Sequence, residues 1–523
     1  MWSLSRRSVL GAIALGLAGV AAGVPAARLL TGTNRVSSLA GHRLNARPES
    51  TATRSAGPGP VGLENRITVE NALPGSPGWR VDATGVRAVD DLGRQIQGYP
   101  SATSVPLGGS IDFQVSVATA QRIRVEIFRT GFYQGAGARL LIASPPLPGQ
   151  PQPEPVLDPD TGMITCDWPP VWTLAVPSDW TPGVHLAVFT TESGWRATTP
   201  FVVRDERPGP RLCVVMPFST YQAYNQWPLN GWLGKSLYYG YDGADRAVYA
   251  NRAVKVSFDR PYAGHGQPKR FERDLVVVRW LERQGYDLTY ASSHDLHAGR
   301  LDPGRYAGLV FPGHDEYWSR PMRDAVERGV EQGTGMAFLT ANNLYWRVRF
   351  EPGHGGGDRV MVCYKSDPDP HGGADDATKR WRDLGQGAHQ AEQRLLGVQY
   401  NGVVAGSYPL IVRAAGHWVW AGCGLAEGDR LPGIVGGEAD GLDERGPRPA
   451  GSTQTLLSAS PYVRTNGTPA TQNTSVYETR DGTVVFTAGS LDWSLGLVPG
   501  GYAADPRVAQ ATTNVLNRIV RPR

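Results

Sequence analysis

Between residues 66 and 204 apolar side chains recur at every second position in short runs. Ile111, Phe113, Val115 and Val117 alternate with Asp112, Gln114 and Ser116, and Ile123-Arg124-Val125-Glu126-Ile127 repeats the pattern. Period two is the pattern of a strand with one face buried. Leu186-Ala187-Val188-Phe189 and Phe201-Val202-Val203 are further apolar runs, separated by Gly and Pro clusters, of which 145–155 reads as one long Pro-rich loop. Many short strands between turn signals predict an all-β sandwich over 66–206. Trp168, Trp172, Trp180 and Trp195 fall in this region. They are readable as a sugar-binding platform or, more plainly, as core packing.

Pro208-Gly209-Pro210 marks a boundary, and the period then changes. An apolar strand at 212–216 precedes a helical stripe at 271–284, carried by Leu275, Val278 and Leu281. Short strands follow at 287–291, 307–311 and 335–340. Between the last two, Ser319 caps a helix with Pro321 in its first turn and Gly333 after its end. Strand alternating with helix predicts a parallel sheet covered by helices. The expected class is therefore α/β plus all-β: an N-terminal β-sandwich, then a Rossmann/flavodoxin-like α/β domain over 207–523. Beyond 350 the chain reads as Gly-rich and irregular, with later strands at 409–412 and 483–488 and a last helix from Asp505 and Pro506 to about Ile519.

Gly 65 and Pro 41 make up about a fifth of the 523 residues, which excludes a coiled coil or helical bundle. A formal charge of +4 gives no reason to expect a nucleic-acid partner. At the start, Ser5-Arg6-Arg7-Ser8-Val9-Leu10, an apolar stretch over 11–23 and Val24-Pro25-Ala26 read as a twin-arginine signal over 1–30, with Val9 where Phe is usual. The apolar run falls short of the ~20 residues of a membrane span, so no stable span is expected beyond an uncleaved signal. Residues 31–65, rich in Ser, Arg, Gly and Pro, read as a linker. The expected location is extracytoplasmic, secreted or associated with the envelope. Substrates of that route cross folded, often with a cofactor in place, which directs attention to metal sites. The four cysteines, Cys166, Cys213, Cys363 and Cys423, form no CxxC pair and read as isolated buried thiols.

In open α/β sheets ligands sit beyond the carboxyl ends of the strands. There the chain carries Tyr221-Gln222-Ala223-Tyr224-Asn225, then Gly313-His314-Asp315-Glu316-Tyr317-Trp318, then Asn342-Asn343, with Ser236-Leu237-Tyr238-Tyr239 between the first strand and helix. GxSxG and a strand-end Cys are missing, and no P-loop or GxGxxG follows a strand. His354 before Gly355-Gly356-Gly357 resembles an oxyanion loop but reads more simply as a surface loop, and Ser293-His294-Asp295, close to His297, as a solvated turn. A metal is the remaining route. Phenolate and carboxylate oxygens are hard donors that suit ferric iron, and a bound cation ionises phenols whose free pKa is ~10.

The ordered segments Gln222-Ala223-Tyr224-Asn225, Ser236-Leu237-Tyr238, Val256-Ser257-Phe258-Asp259-Arg260-Pro261, Gly313-His314-Asp315-Glu316-Tyr317-Trp318, 342–346, 359–365 and Leu431-Pro432-Gly433 running to Glu438 carry a resemblance. Over about 210–520 the chain resembles the C-terminal catalytic domain of the N,N-dimethylformamidase large (β) subunit. The resemblance implies a mononuclear Fe(III) held by Tyr224, Tyr238 and Glu316, with Tyr239 competing for the second position. It implies Glu438 as general base, Asn342 orienting substrate, His314 beside the metal or touching substrate, and Lys365 behind the ligands. The implied activity is hydrolysis of a small amide or related C–N bond by metal-activated water. The implied partners are a small amide-type substrate and either a homo-oligomer or a small separate subunit. Two other readings stand beside it: a non-catalytic glycan- or envelope-binding protein using the β-sandwich, and a metal-free hydrolase using Glu316 and Glu438 as a carboxylate pair.

Overall fold

The computed structural model describes residues 65–521, apart from 82, 84, 210, 374–375 and 386–389. The signal segment 1–30 and nearly all of the linker lie outside the described residues. Asn65, the linker's last residue, caps a helix, Arg66–Asn71, by accepting from the Thr68 amide.

The alternating runs form two facing sheets. The larger has Arg87–Ala88, Trp195–Arg204, Gly183–Thr191, Gln121–Thr130 and Ala138–Ala143 side by side, and the smaller has Pro170–Ala175, Ser110–Val117 and Ile96–Pro100. Ile111, Phe113, Val115 and Val117 of one sheet share a buried cluster with Ile123, Val125, Ile127, Phe189 and Phe201 of the other. The supposed loop 145–155 contains a strand, Leu147–Gly149, paired with Gln121–Ile123 at the sheet edge; Pro is tolerated at such an edge. The indoles pack. Trp168 is buried against Tyr99 and Trp227, Trp172 stacks on Phe113, Trp180 stacks on His185 and Trp195 is half-buried against the same core.

His185 is fully buried, its ring 5.6 Å from the Trp180 centroid at 4°, with Nδ1 on the Gly183 carbonyl and Nε2 unpartnered. Burial, then Arg129, lowers its pKa to about 3. A histidine that refuses a proton when folded but takes one near pH 6.5 when unfolded makes the unfolded state bind more protons between those values, so stability rises with pH there. His185→Gln is expected to flatten the stability profile between pH 4.5 and 6.5. The wild-type-minus-variant slope should approach, without exceeding, about 1.4 kcal/mol per pH unit in urea titrations. Equal slopes would exclude the linkage.

The second region builds on β1 (Leu212–Met216), α1 (Phe218–Ala223), α2 (Phe271–Arg283), β2 (Leu288–Ser292), β3 (Gly308–Phe311), α3 (Arg320–Glu331), β4 (Gly335–Phe338), β5 (Gln399–Ile411), β6 (Arg430–Gly441), β7 (Ser452–Leu456), β8 (Ser475–Thr479), β9 (Val484–Thr487) and α4 (Pro506–Val520). One sheet runs β2-β1-β3-β4-β9-β8-β7, with β2, β1, β3, β4 and β9 mutually parallel and β8 and β7 antiparallel at the far side. Alternate residues of β1 enter different cores. Leu212, Val214 and Met216 join Leu275 and Val278 of α2 and Val515 of α4, while Cys213 and Val215 join Met322 and Val326 of α3. A strand covered on both faces is therefore apolar throughout. Ser319 caps α3 with Pro321 in the first turn, and Asp505 caps α4.

The expectation of irregular chain beyond 350 is corrected. Trp346–Gly353 and Gly356–Val362 form a hairpin whose exposed tip carries His354, and Gly356 and Gly357 take positive φ there to make the turn. β5 and β6 form a long hairpin interrupted by bulges. Gly402 and Gly406 occupy positive-φ positions where the register shifts, so these glycines mark bulges inside a ladder rather than its absence. The supposed solvated turn at 293–295 is a short helix, Ser293–His297. Its Asp295 is buried and accepts from Ser104, the Ser292 amide and Arg300. All four cysteines are buried and free. Among the described residues no helix is long and apolar enough to cross a membrane.

Candidate metal and catalytic centre

β1 is followed by a crossover to β2 on one side, and the chain then returns to β3 on the other. A crevice opens where two neighbouring strands send their connections in opposite directions. α1 leaves β1 into it and ends at Tyr224, its C-cap. The segment after β3 enters from the other side and is clamped: the Glu316 and Tyr317 amides donate to Thr220 Oγ1 on α1, and the Glu316 carbonyl accepts from the Tyr345 and Trp346 amides. Gly313 has no side chain because the Asp274 carboxyl occupies the space where a Cβ would lie.

Three oxygen-bearing side chains converge. Tyr224 donates its hydroxyl to Glu316 Oε2 at 2.8 Å, and Tyr238 donates to Oε1 at 2.6 Å. The two phenol rings stack with centroids 4.7 Å apart, and Tyr317 meets both edge-on. Ser236 Oγ accepts from the Tyr238 and Tyr239 amides, and that turn sends the Tyr238 hydroxyl to Glu316 while the Tyr239 ring lies 6.2 Å from that of Tyr238. Trp346 Nε1 donates to the Tyr238 hydroxyl at 3.2 Å. Lys365 Nζ lies 3.3 Å from the Tyr238 ring centroid with no hydrogen-bond partner.

A second acid stands across from the first. Glu438 on β6 accepts from Asn342 Nδ2 at 2.7 Å. His314 Nε2 lies 3.3 Å from Glu438 Oε2 and 3.6 Å from Glu316 Oε2, without hydrogen-bonding geometry. Thus Tyr224, Tyr238, Glu316, His314, Asn342, Glu438 and Lys365 all meet in one place, around two carboxylates whose environments differ. Burial, then the charge of Glu438, pushes Glu316 up to about 7. Burial also pushes Glu438 up, but His314, Arg270, Asn342 and Lys269 outweigh it and hold the carboxyl below its usual range. Burial, then Glu316, raises both phenols well above ordinary tyrosine. Burial lowers His314 to about 4 and Lys365 to about 7.

Among the described residues no three His, Cys, Asp or Glu side chains gather as a metal site. The convergence depends on the phenols. Two phenol oxygens within 2.8 Å of one carboxylate, all buried, are a donor set that fits a hard trivalent cation. The hydroxyl protons now shared with Glu316 are the ones such a cation would displace.

Several neighbours carry no role in the sequence reading. Asp440, two residues after Glu438 and so on the same strand face, accepts from the Asn342 amide. Lys269 and Arg270 stand at the start of α2, and two cations at a helix's positive end run against the dipole preference, a signal visible in the sequence. Arg270, Asn342, Leu344 and Lys365 have φ of 70°, 54°, 58° and 58°, a left-handed conformation that non-glycine residues adopt at a cost.

The strand order, the crevice and its buried oxygen donors define the class: a β-sandwich joined to a mixed α/β sheet, with a tyrosine–carboxylate centre at the strand ends. The narrower assignment comes from sequence comparison. Residues 124–506 match the family model described as N,N-dimethylformamidase beta subunit-like, C-terminal, and the chain belongs to that family. It is 31% identical over 124 residues to an N,N-dimethylformamidase beta subunit from Paracoccus aminophilus, covering 22% of this chain and 16% of that one. It is 24% identical over 332 residues to a protein of the same description from Alcaligenes sp., covering 55% and 43%. The chain thus spans less than half the length of either relative. Among solved structures, a β-glucosidase from Listeria innocua aligns over 21% of this chain and 16% of its own at 12% identity and a TM-score of 0.14, a likeness too slight to carry an argument.

Proposed function

We propose that the chain hydrolyses a small amide or related C–N bond, with Tyr224, Tyr238 and Glu316 holding one ferric iron. The observation that carries this reading is the meeting of both phenol hydroxyls on the two oxygens of one buried carboxylate, with a second, differently poised carboxylate beside it. Family membership supports the amide bond. We read the five parallel strands as a Rossmann/flavodoxin-like sheet with its ligand at the switch point. When bound, the iron supplies Lewis-acid polarisation of a carbonyl and a lowered pKa for water.

The chain's own residues supply the remaining chemistry. Glu438, held ionised by its neighbours, takes a proton from the attacking water and returns it to the departing amine nitrogen. Asn342 fixes that carboxylate through Nδ2, and its buried, unpartnered Oδ1 is left to accept from a substrate N–H. His314, buried with Nε2 3.3 Å from Glu438 and 3.6 Å from Glu316, walls the space between the two acids. Lys365 holds the Tyr238 ring by its cation–π contact.

We further infer export by the twin-arginine signal at 1–30, and assembly with copies of itself or with a small separate subunit, since the relatives are named as beta subunits. The test is elemental analysis and absorption spectroscopy of chelator-free protein, together with amine release from a small amide. About one iron per chain, a visible phenolate-to-iron band that disappears in Tyr238→Phe, and amine release are expected. Iron-loaded, folded protein without the band, or turnover indifferent to iron, would overturn the reading.

A further inference from the structure

Beside the centre a small, partly open cavity is lined by Tyr224, His314, Lys269, Arg270 and Asp274. Its cations are poorly matched. Lys269 makes no ion pair among the described residues, and its Nζ lies 5.6 Å from the Tyr224 ring centroid. Arg270 reaches Glu438 Oε1 at only 3.9 Å, and its NH1 nitrogen is buried without a partner. Asp274, the acid in the cavity wall, is engaged instead by the Tyr221 hydroxyl. His314, 6% exposed, lines the same space, with its unpartnered Nε2 turned toward Glu438 and Glu316. The backbone holds Arg270 at φ 70° as the N-cap of the 13-residue helix α2, without a side-chain cap, so strain is stored in presenting it. Glu272 and Asp274 already answer the positive end of the helix in its first turn, but the two adjacent cations repel one another, and an anion resting beside them would relieve both. A neutral amide would leave them as they are.

We propose, resting on the amide-hydrolase reading above, that Lys269 and Arg270 recognise a carboxylate on the substrate, so that the favoured amides are small and anionic, such as the monoamide of a short dicarboxylic acid. The carboxylate sits at the cavity mouth against the two cations, and the amide group points inward past Tyr224 and His314 toward Glu316 and Glu438. Charge-assisted hydrogen bonds of this kind give a preference of about tenfold to a hundredfold over a neutral analogue.

Titration calorimetry of the full chain with succinamate and with its neutral analogue succinamide, at low and high salt, tests this. Succinamate is expected to bind at least about tenfold more tightly, with the margin shrinking as salt rises. Lys269→Met and Arg270→Gln are each expected to bring the ratio toward one without lowering the melting temperature. Equal affinities, no binding of either compound, or a ratio untouched by both substitutions would overturn the proposal. The last result would mean that the cations only offset the charge of Glu438 and Glu316. Because heat rather than turnover is read, selective binding without hydrolysis leaves this inference standing and removes the hydrolase reading. Equally efficient hydrolysis of both compounds does the reverse.

Discussion

Glu316→Gln is expected to lower amide turnover by about a thousandfold or more and to leave the purified chain with almost no iron, while the fold survives. Glu316 is the residue that both phenols address, each on a different oxygen. Glutamine keeps the volume, but its amide nitrogen cannot accept a hydroxyl proton and cannot serve as an anionic donor. The backbone anchors of the segment, from Glu316 to Thr220, Tyr345 and Trp346, do not involve the side chain, so the loop stays in place. A Lewis-acid site contributes several kcal/mol to the barrier, and about 4 kcal/mol corresponds to about 10³ in rate. Iron per chain, kcat at saturating substrate and a thermal melt together check the claim. Wild-type turnover with full iron in the variant would remove Glu316 from the centre, and loss of the melt would call for Tyr224→Phe as the gentler probe.

The legible parts of the chain were those where one physical demand shaped a run of residues. Ile111, Phe113, Val115 and Val117 alternate because one face of their strand is buried, and β1 is apolar throughout because both of its faces are. Helix ends were readable for the same reason: Ser319 and Asp505 satisfy amides that have no helical partner. β5 and β6 were hidden because their glycines serve bulges, and a glycine that breaks a strand looks the same in sequence as one that bends it. Asp295 looked exposed among polar neighbours, yet its partner Ser104 comes from a strand 191 residues away. The centre divides in the same way. Its position beyond β1, β3 and β4 followed from the alternation of strand and helix. The pairing of Tyr224 and Tyr238 with Glu316 could not follow from spacing, because 92 and 78 residues separate each tyrosine from the acid, and only family resemblance brought them together in advance. That Tyr238 rather than Tyr239 meets Glu316 follows from the turn at Ser236, a matter of backbone direction that residue type does not encode.

Arg129→Met is expected to destabilise the protein by about 3–5 kcal/mol, more than any single surface change. Arg129, from the sandwich strand Gln121–Thr130, meets Glu282 of α2 at 2.6 Å, with neither side chain exposed. Tyr290 and Asn71 also donate to Glu282, and Arg129 is further held by the Pro182 carbonyl and Tyr133. Burial works against the guanidinium charge, but Glu282 outweighs it and raises the arginine pKa. Removing the arginine leaves a carboxylate in the interior with only neutral donors, whereas removing both charges does not. Arg129→Met/Glu282→Leu should therefore lose less stability than Arg129→Met alone, an outcome independent central charges would not give. Urea midpoints with unchanged slope check the size of the effect, and a transition that splits in two would show that this pair couples the unfolding of the sandwich to that of the sheet. The coupling bears on the centre as well, because α2 carries Glu282 near one end and begins beside Arg270 at the other. The sandwich thus fixes the helix whose first turn forms the wall of the cavity.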